Sequence, residues 1–191
     1  MQLVLASTSV YRRELLQRLR LQFETFAPSV GEIPLPGEAP EATALRLAHA
    51  KAGAAVASFP SALIIGSDQV AELDGRRLEK PGTRERAQEQ LHWASGREVV
   101  FHTAVTLLTA RSGHAQTRLV PTHVRFRSLT SAQIDAYLDK EQPYDCAGSA
   151  KSEGLGIALL EQIRGDDPTA LIGLPLIALV SLLRDAGLSV P

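Results

Sequence analysis

The chain holds one cysteine in 191 residues, Cys146, so no internal disulfide can close, and no set of Cys and His has the spacing of a zinc site. It has no excess of either charge. Its 20 Lys and Arg face 21 Asp and Glu, which excludes a global field of the kind that holds a protein on nucleic acid or an anionic membrane. Neither a nucleic-acid partner nor a membrane is expected, and phosphate chemistry would have to come from local clusters. The opening residues Met1-Gln2-Leu3-Val4-Leu5-Ala6 carry no basic segment and turn polar at Ser7-Thr8-Ser9, unlike a secretory leader. The apolar run from Leu171 to Leu183 is broken by Gly173 and Pro175 and is too short to span a bilayer comfortably. There is no repeat, no low-complexity segment and no Walker A sequence, and Gly154-Leu155-Gly156 is followed by Leu159 where a dinucleotide fingerprint has glycine. A lone thiol in such a chain suits a reducing, cytoplasmic setting.

What is present is enough apolar material for a substantial core, 45% hydrophobic residues against 21% charged. The expectation is one α/β domain over residues 1–191. Leu3 to Ala6 reads as a short strand, followed by a polar turn and a helix over Tyr11 to Arg20. Phe23 to Phe26 reads as a second strand and the stretch from Pro28 to Pro40, with four prolines, as a long loop. Glu41 to Ser58 reads as a helix with the stripe Ala44, Leu47, Ala48, Lys51, Ala52 and Ala55, in which Lys51 interrupts an apolar face. Ala62 to Gly66 reads as a buried strand that ends at Ser67-Asp68-Gln69. Val70 to Leu78 reads as a hairpin about Asp74-Gly75. A helix over Thr83 to Ala94 and two long strands, Val99 to Thr109 and Leu119 to Arg127, follow. Thr130 and Gln133 form a capping-box pattern for a helix to Lys140, Leu155 to Ile163 has strand character, and Pro175 to Arg184 reads as a closing helix.

Three groups of residues stand out for chemistry. Ser7-Thr8-Ser9 with Arg12 and Arg13 places hydroxyls and guanidiniums where a strand gives way to a helix, a natural place to hold an anion. Lys51 and Lys80 add cations suited to a polyphosphate. Asp68 and Glu32 offer hard carboxylate oxygens for Mg²⁺ or Mn²⁺, and Asp68 is placed to take a proton from an attacking water. The segment Cys146 to Gly156 joins small residues to Lys151 and Glu153. Each group also has a plainer reading taken alone: an N-cap serine beside solvated arginines, a snorkelling Lys51, a surface Lys80, a turn-capping Asp68, and a glycine-rich surface turn.

Taken together, Leu5-Ala6-Ser7-Thr8-Ser9 with Arg12-Arg13, Ile65-Gly66-Ser67-Asp68-Gln69-Val70, Lys80-Pro81, Ser95-Gly96, Ala147-Gly148-Ser149 with Lys151 and Glu153-Gly154, and Gly173-Leu174-Pro175 resemble the Maf family of nucleotide pyrophosphatases over nearly the whole chain. The resemblance implies a Maf/ITPase-like α/β fold of two lobes, with a long curved mixed sheet flanked by helices and a central cleft, usually as a homodimer. It implies cleavage of a nucleoside triphosphate between the α and β phosphates with a divalent metal. By position it makes Asp68 the proton acceptor, Ser7, Arg12, Arg13, Lys51 and Lys80 phosphate-side residues, and Glu32 an acid of the metal-linked loop.

Where the family's dTTP/UTP branch has Arg, Thr and Gln, this chain has Tyr11, Gln69 and Glu153, which resembles the branch acting on 7-methyl-GTP. N7-methylation makes guanine cationic, so the ring of Tyr11 suits it, and Glu153 can accept from N1–H and the amino group. The sequence departs from the family pattern in reading Gly31-Glu32 where adjacent acids are usual, and in Val10 where proline is usual. It also has Tyr11 where this branch more often has Trp. A dTTP/UTP-type enzyme and a nucleotide-binding regulator of cell division without catalysis are the alternative readings.

Overall fold

The computed structural model describes residues 1–190. Its strands are β1 (Leu3–Ala6), β2 (Glu24–Phe26), β3 (Leu63–Leu73), β4 (Arg76–Leu78), β5 (Glu98–Thr109), β6 (His114–Phe126) and β7 (Leu160–Arg164). Its α-helices are α1 (Val10–Gln17), α2 (Pro40–Ala54), α3 (Arg84–Ala94), α4 (Ser131–Glu141) and α5 (Leu176–Asp185). The seven strands form a mixed sheet in the order β2-β1-β3-β5-β6-β7, with β4 paired to β3. β1 runs parallel to both β2 and β3, while β4 and β7 are antiparallel to β3 and β6. This is the α/β class with a mixed sheet that the sequence suggests. No helix among the described residues is long and apolar enough to cross a membrane.

The chain divides into two compact units, the first made of residues 1–69, 103–120 and 167 onward, the second of 70–102 and 121–166. In the first, strand alternation sorts the core into two layers. Leu3, Leu5, Leu63 and Ile65 point to one face and pack with Leu15 and Leu16 of α1 and Leu176, Leu179, Leu182 and Leu183 of α5. Val4, Ala6 and Ile64 point to the other and pack with Ala52 and Ala55, within and just after α2. α2 lies so close that a Cβ on Gly66 would come within 2.1 Å of the Ala48 carbonyl oxygen and 2.6 Å of the Ala52 nitrogen. Only glycine admits that approach.

The second unit packs α3 and α4 together, with Arg84 bridging to Asp135 (3.1 Å) and Asp139 (2.9 Å). Thr130 caps α4 through the expected box with Gln133. Asp74 and Gly75 both have positive φ, 48° and 78°, which suits the two-residue hairpin between β3 and β4.

Two sequence expectations are corrected. β3 does not stop at Gly66 but runs on to Leu73, so Asp68 sits within a strand rather than at its end. The polar run Ser67-Asp68-Gln69 can stay in the strand because each side chain finds a hydrogen-bond partner there. The other correction is that Leu155–Leu159 is a 3₁₀ turn and the strand begins only at Leu160. A Cβ at Gly156 would lie 2.4 Å from the Lys151 carbonyl oxygen, so the chain folds back too tightly there for an extended strand.

Candidate functional site

The alternation that sorts the core continues past Gly66 and decides where the polar residues point. Position 68 shares a face with Gly66, toward α2, while 67 and 69 share the opposite face with Ile65.

On the α2 face, Lys51 Nζ lies 2.7 Å from Asp68 Oδ1 and 2.6 Å from Glu32 Oε1. The side chains of Lys51 and Asp68 are each 9% exposed, that of Glu32 is 56% exposed. Lys51 therefore does not snorkel to water; it stands as the shared counter-ion of two carboxylates. Asp68 Oδ2 accepts no hydrogen bond among the described residues. Arg12 belongs to the same electrostatic group: burial pulls its pKa below the ordinary guanidinium value, and the negative charges of Asp68 and Glu32 push it back up. Arg12 and Lys51 set two cations against the two carboxylates, and Arg46, which also feels the Asp68 charge, is itself paired with Glu38, so the group is balanced before any ligand arrives.

Arg12 is aimed by its backbone and by a carbonyl. Ser9 caps α1, its Oγ accepting from the Arg12 nitrogen at 3.3 Å, and the Ser9 nitrogen donates to Ser7 Oγ at 3.1 Å. Arg12 Nε donates to the Gly173 carbonyl at 2.8 Å. On the opposite face of β3, Ser67 Oγ lies 2.8 Å from both the Gly173 and Ala104 carbonyl oxygens. Gln69 Nε2 donates to Thr103 Oγ1 (2.9 Å) and to the carbonyls of Ala170 and Leu171 (3.0 Å each). The stretch that carries the Ala170, Leu171 and Gly173 carbonyls is braced by Asp167, whose Oδ1 accepts from the Thr169 nitrogen and hydroxyl and whose Oδ2 accepts from the Ile177 nitrogen in the first turn of α5.

The loop that carries Glu32 is fastened by a clamp that the sequence reading missed. Glu38 takes a bidentate pair from Arg46 (2.6 and 2.8 Å), a hydroxyl from Thr43 (2.7 Å) and the Leu35 nitrogen (3.1 Å). Arg46 also donates to the Ile33 carbonyl, next to Glu32. The Arg46 bonds hold the Glu38 carboxyl well below the usual carboxylate range. Its signal in the sequence was an acid two residues before Pro40, the first residue of α2, with Thr43 and Arg46 within reach.

Of the expected site residues, the first unit brings together Arg12, Glu32, Lys51 and Asp68, with Ser7 at the start of the same turn and Gln69 next along β3. Tyr11 is half-buried on α1. Arg13 is exposed and lines a shallow hollow with Gln17, Leu21 and Phe23 instead. Lys80, following β4, and Glu153, in the turns between Ser149 and Leu155, are exposed residues of the second unit. The residues missed were Glu38, Thr103 and the Gly173 carbonyl.

Comparison with known proteins places these residues in a family. The family described as Maf-like protein matches residues 2–186. A protein of Thiobacillus denitrificans named 7-methyl-GTP pyrophosphatase is 63% identical over 188 residues, 98% of this chain and 94% of that one. Proteins of the same name from Cupriavidus pinatubonensis and Burkholderia thailandensis are 60% and 61% identical, covering 97% of this chain and 93% and 87% of theirs.

Proposed function

The chain belongs to the Maf-like protein family, and from that membership we propose that it hydrolyses 7-methyl-GTP to 7-methyl-GMP and pyrophosphate. The observation that carries this reading is the balanced cluster of Arg12, Glu32, Lys51 and Asp68 in a chain that is 63% identical to a protein named for that reaction. A water oxygen attacks the α-phosphorus, the bond to the α–β bridging oxygen breaks, and pyrophosphate departs. The proton of the water passes to Asp68, whose Oδ1 is held by Lys51 while Oδ2 stays open to accept it. Lys51 and Arg12, with Ser7, neutralise and orient the phosphate oxygens.

A triphosphate adds several negative charges to a cluster that is already neutral, which calls for a further cation. The donors suit a divalent one: oxygens from two separate carboxylates already converge on a single cation at 2.6 and 2.7 Å. Asp68 and Glu32 would hold Mg²⁺ or Mn²⁺, which supplies charge neutralisation for the phosphates when bound. Base selection falls to Tyr11, stacking on the cationic ring, and to Gln69 as a hydrogen-bond partner. A cytoplasmic homodimer completes the proposal.

The test is pyrophosphate release from 7-methyl-GTP, GTP, dTTP and UTP with each metal. The expected order places 7-methyl-GTP first by kcat/KM. Asp68→Asn should lower kcat by about 10²- to 10⁴-fold while the circular dichroism spectrum is unchanged. Orthophosphate as the product, or an unimpaired Asp68→Asn, would overturn the reading.

A further inference from the structure

Gln69 is held in one sense only. Its Nε2 sits among three oxygens, Thr103 Oγ1, Ala170 O and Leu171 O, at 2.9 to 3.0 Å. Two are carbonyls, which can only accept. Thr103 is fully buried and uses its own proton on Ala170 O at 2.9 Å, so it too meets Gln69 as an acceptor. Turning the amide over would set Oε1 against two carbonyl oxygens with no hydrogen to offer and would draw the Thr103 proton away from Ala170 O, so the nitrogen faces this way. Both amide protons are therefore committed, one of them shared between two acceptors. Oε1 accepts from no group among the described residues.

We propose that Thr103 is a positioning residue for base selection, because together with the Ala170 and Leu171 carbonyls it fixes the Gln69 amide so that only a hydrogen-bond acceptor is presented to the base. The base class that fits is one offering an N–H at that edge, as guanine does with N1–H and its 2-amino group; a ring nitrogen or carbonyl lone pair there would meet Oε1 unfavourably. Thr103 itself touches no substrate. The proposal rests on the reading of the protein as a nucleotide pyrophosphatase, and its test separates the two.

Three full-length proteins are compared: wild type, Thr103→Val, which keeps the shape and removes the hydroxyl, and Thr103→Ser, which restores it. The first readout needs no activity. In ¹⁵N-labelled protein the Gln69 side-chain amide, assigned by its loss in Gln69→Leu, should exchange slowly with solvent in wild type and Thr103→Ser. In Thr103→Val it should exchange roughly three- to tenfold faster, the ratio equivalent of one neutral hydrogen bond. The second readout is steady-state. KM for 7-methyl-GTP should rise by a similar factor in Thr103→Val and return in Thr103→Ser, with the change in KM rather than kcat. The inhibition constant of inorganic triphosphate, which has no base, should stay put.

An unchanged amide with an unchanged KM overturns the proposal. So does a triphosphate inhibition constant that rises together with KM, since that is general damage to the site. If wild type releases no pyrophosphate, the proposed reaction falls, and the dissociation constants of 7-methyl-GMP and triphosphate then carry the same comparison. If wild type fails to bind 7-methyl-GMP, both readings are overturned.

Discussion

The two faces of β3 solve the same problem with different chemistry. On the α2 face, Asp68 meets a buried ammonium that also holds Glu32, so the site is ionic. On the other, Ser67 and Gln69 meet only neutral oxygens, the carbonyls of residues 104, 170, 171 and 173 and the Thr103 hydroxyl. Both satisfy the rule that buried polar groups must be bonded, but they differ in what is left over. The ionic face keeps charges that an incoming ligand and metal can rearrange. The neutral face keeps fixed dipoles, with no net charge to exchange, and suits recognition rather than turnover.

The sharpest way to break this contrast is Lys51→Met. It removes the cation between Asp68 and Glu32 and leaves two carboxylates converging on an apolar side chain. Losing one partner of a buried pair costs about 3 to 5 kcal/mol of stability. The kcat for pyrophosphate release should fall by roughly 10²- to 10³-fold, as for loss of a positioned charge at a reacting phosphate. Chemical denaturation and steady-state kinetics check both. A variant as stable and as active as wild type would mean that the ion pairs are incidental.

The neutral face should respond more mildly. Ser67→Ala removes the one proton shared between the Ala104 and Gly173 carbonyls, while Arg12 Nε still reaches Gly173. The expected loss is about 1 to 2 kcal/mol of stability, with a much smaller fall in kcat because no charge is removed. A fall in kcat as large as that of Lys51→Met would erase the distinction between the faces.

How much of this could be read beforehand follows from how local each contact is. The apolar stripe of α2 showed Lys51 as an intruder, because helical periodicity is written in neighbours three and four residues apart. The Thr130–Gln133 cap and the Asp74-Gly75 turn were legible for the same reason. The continuation of β3 through Ser67-Asp68-Gln69 was not, since a polar run looks like the end of a strand unless its partners are known. Those partners lie 17 residues away at Lys51, 34 at Thr103 and 101 at Ala170. Arg12 and Gly173, 161 residues apart, are further still beyond any local pattern. The residues of the site were recognisable as types, but which of them share a face is a property of the sheet.

The smallest expected effect concerns how the ionic face is assembled rather than what it contains. Glu32 reaches Lys51 from a loop that Glu38 ties to α2 through Arg46 and Thr43. Because the Arg46 bonds depress the Glu38 pKa, the clamp is fully present above the ordinary carboxylate pKa. Its contribution to stability is lost as pH falls below that value through the depressed folded one. Wild type and Glu38→Gln should therefore differ in thermal stability at neutral pH and converge in strong acid. At neutral pH, Glu38→Gln should raise the metal concentration that gives half-maximal activity, with kcat nearly kept, since Asp68 and Lys51 are untouched. Thermal melts across pH and a metal titration check both. A gap between the two proteins that widened on acidification would show that the loop is held by something other than this carboxylate.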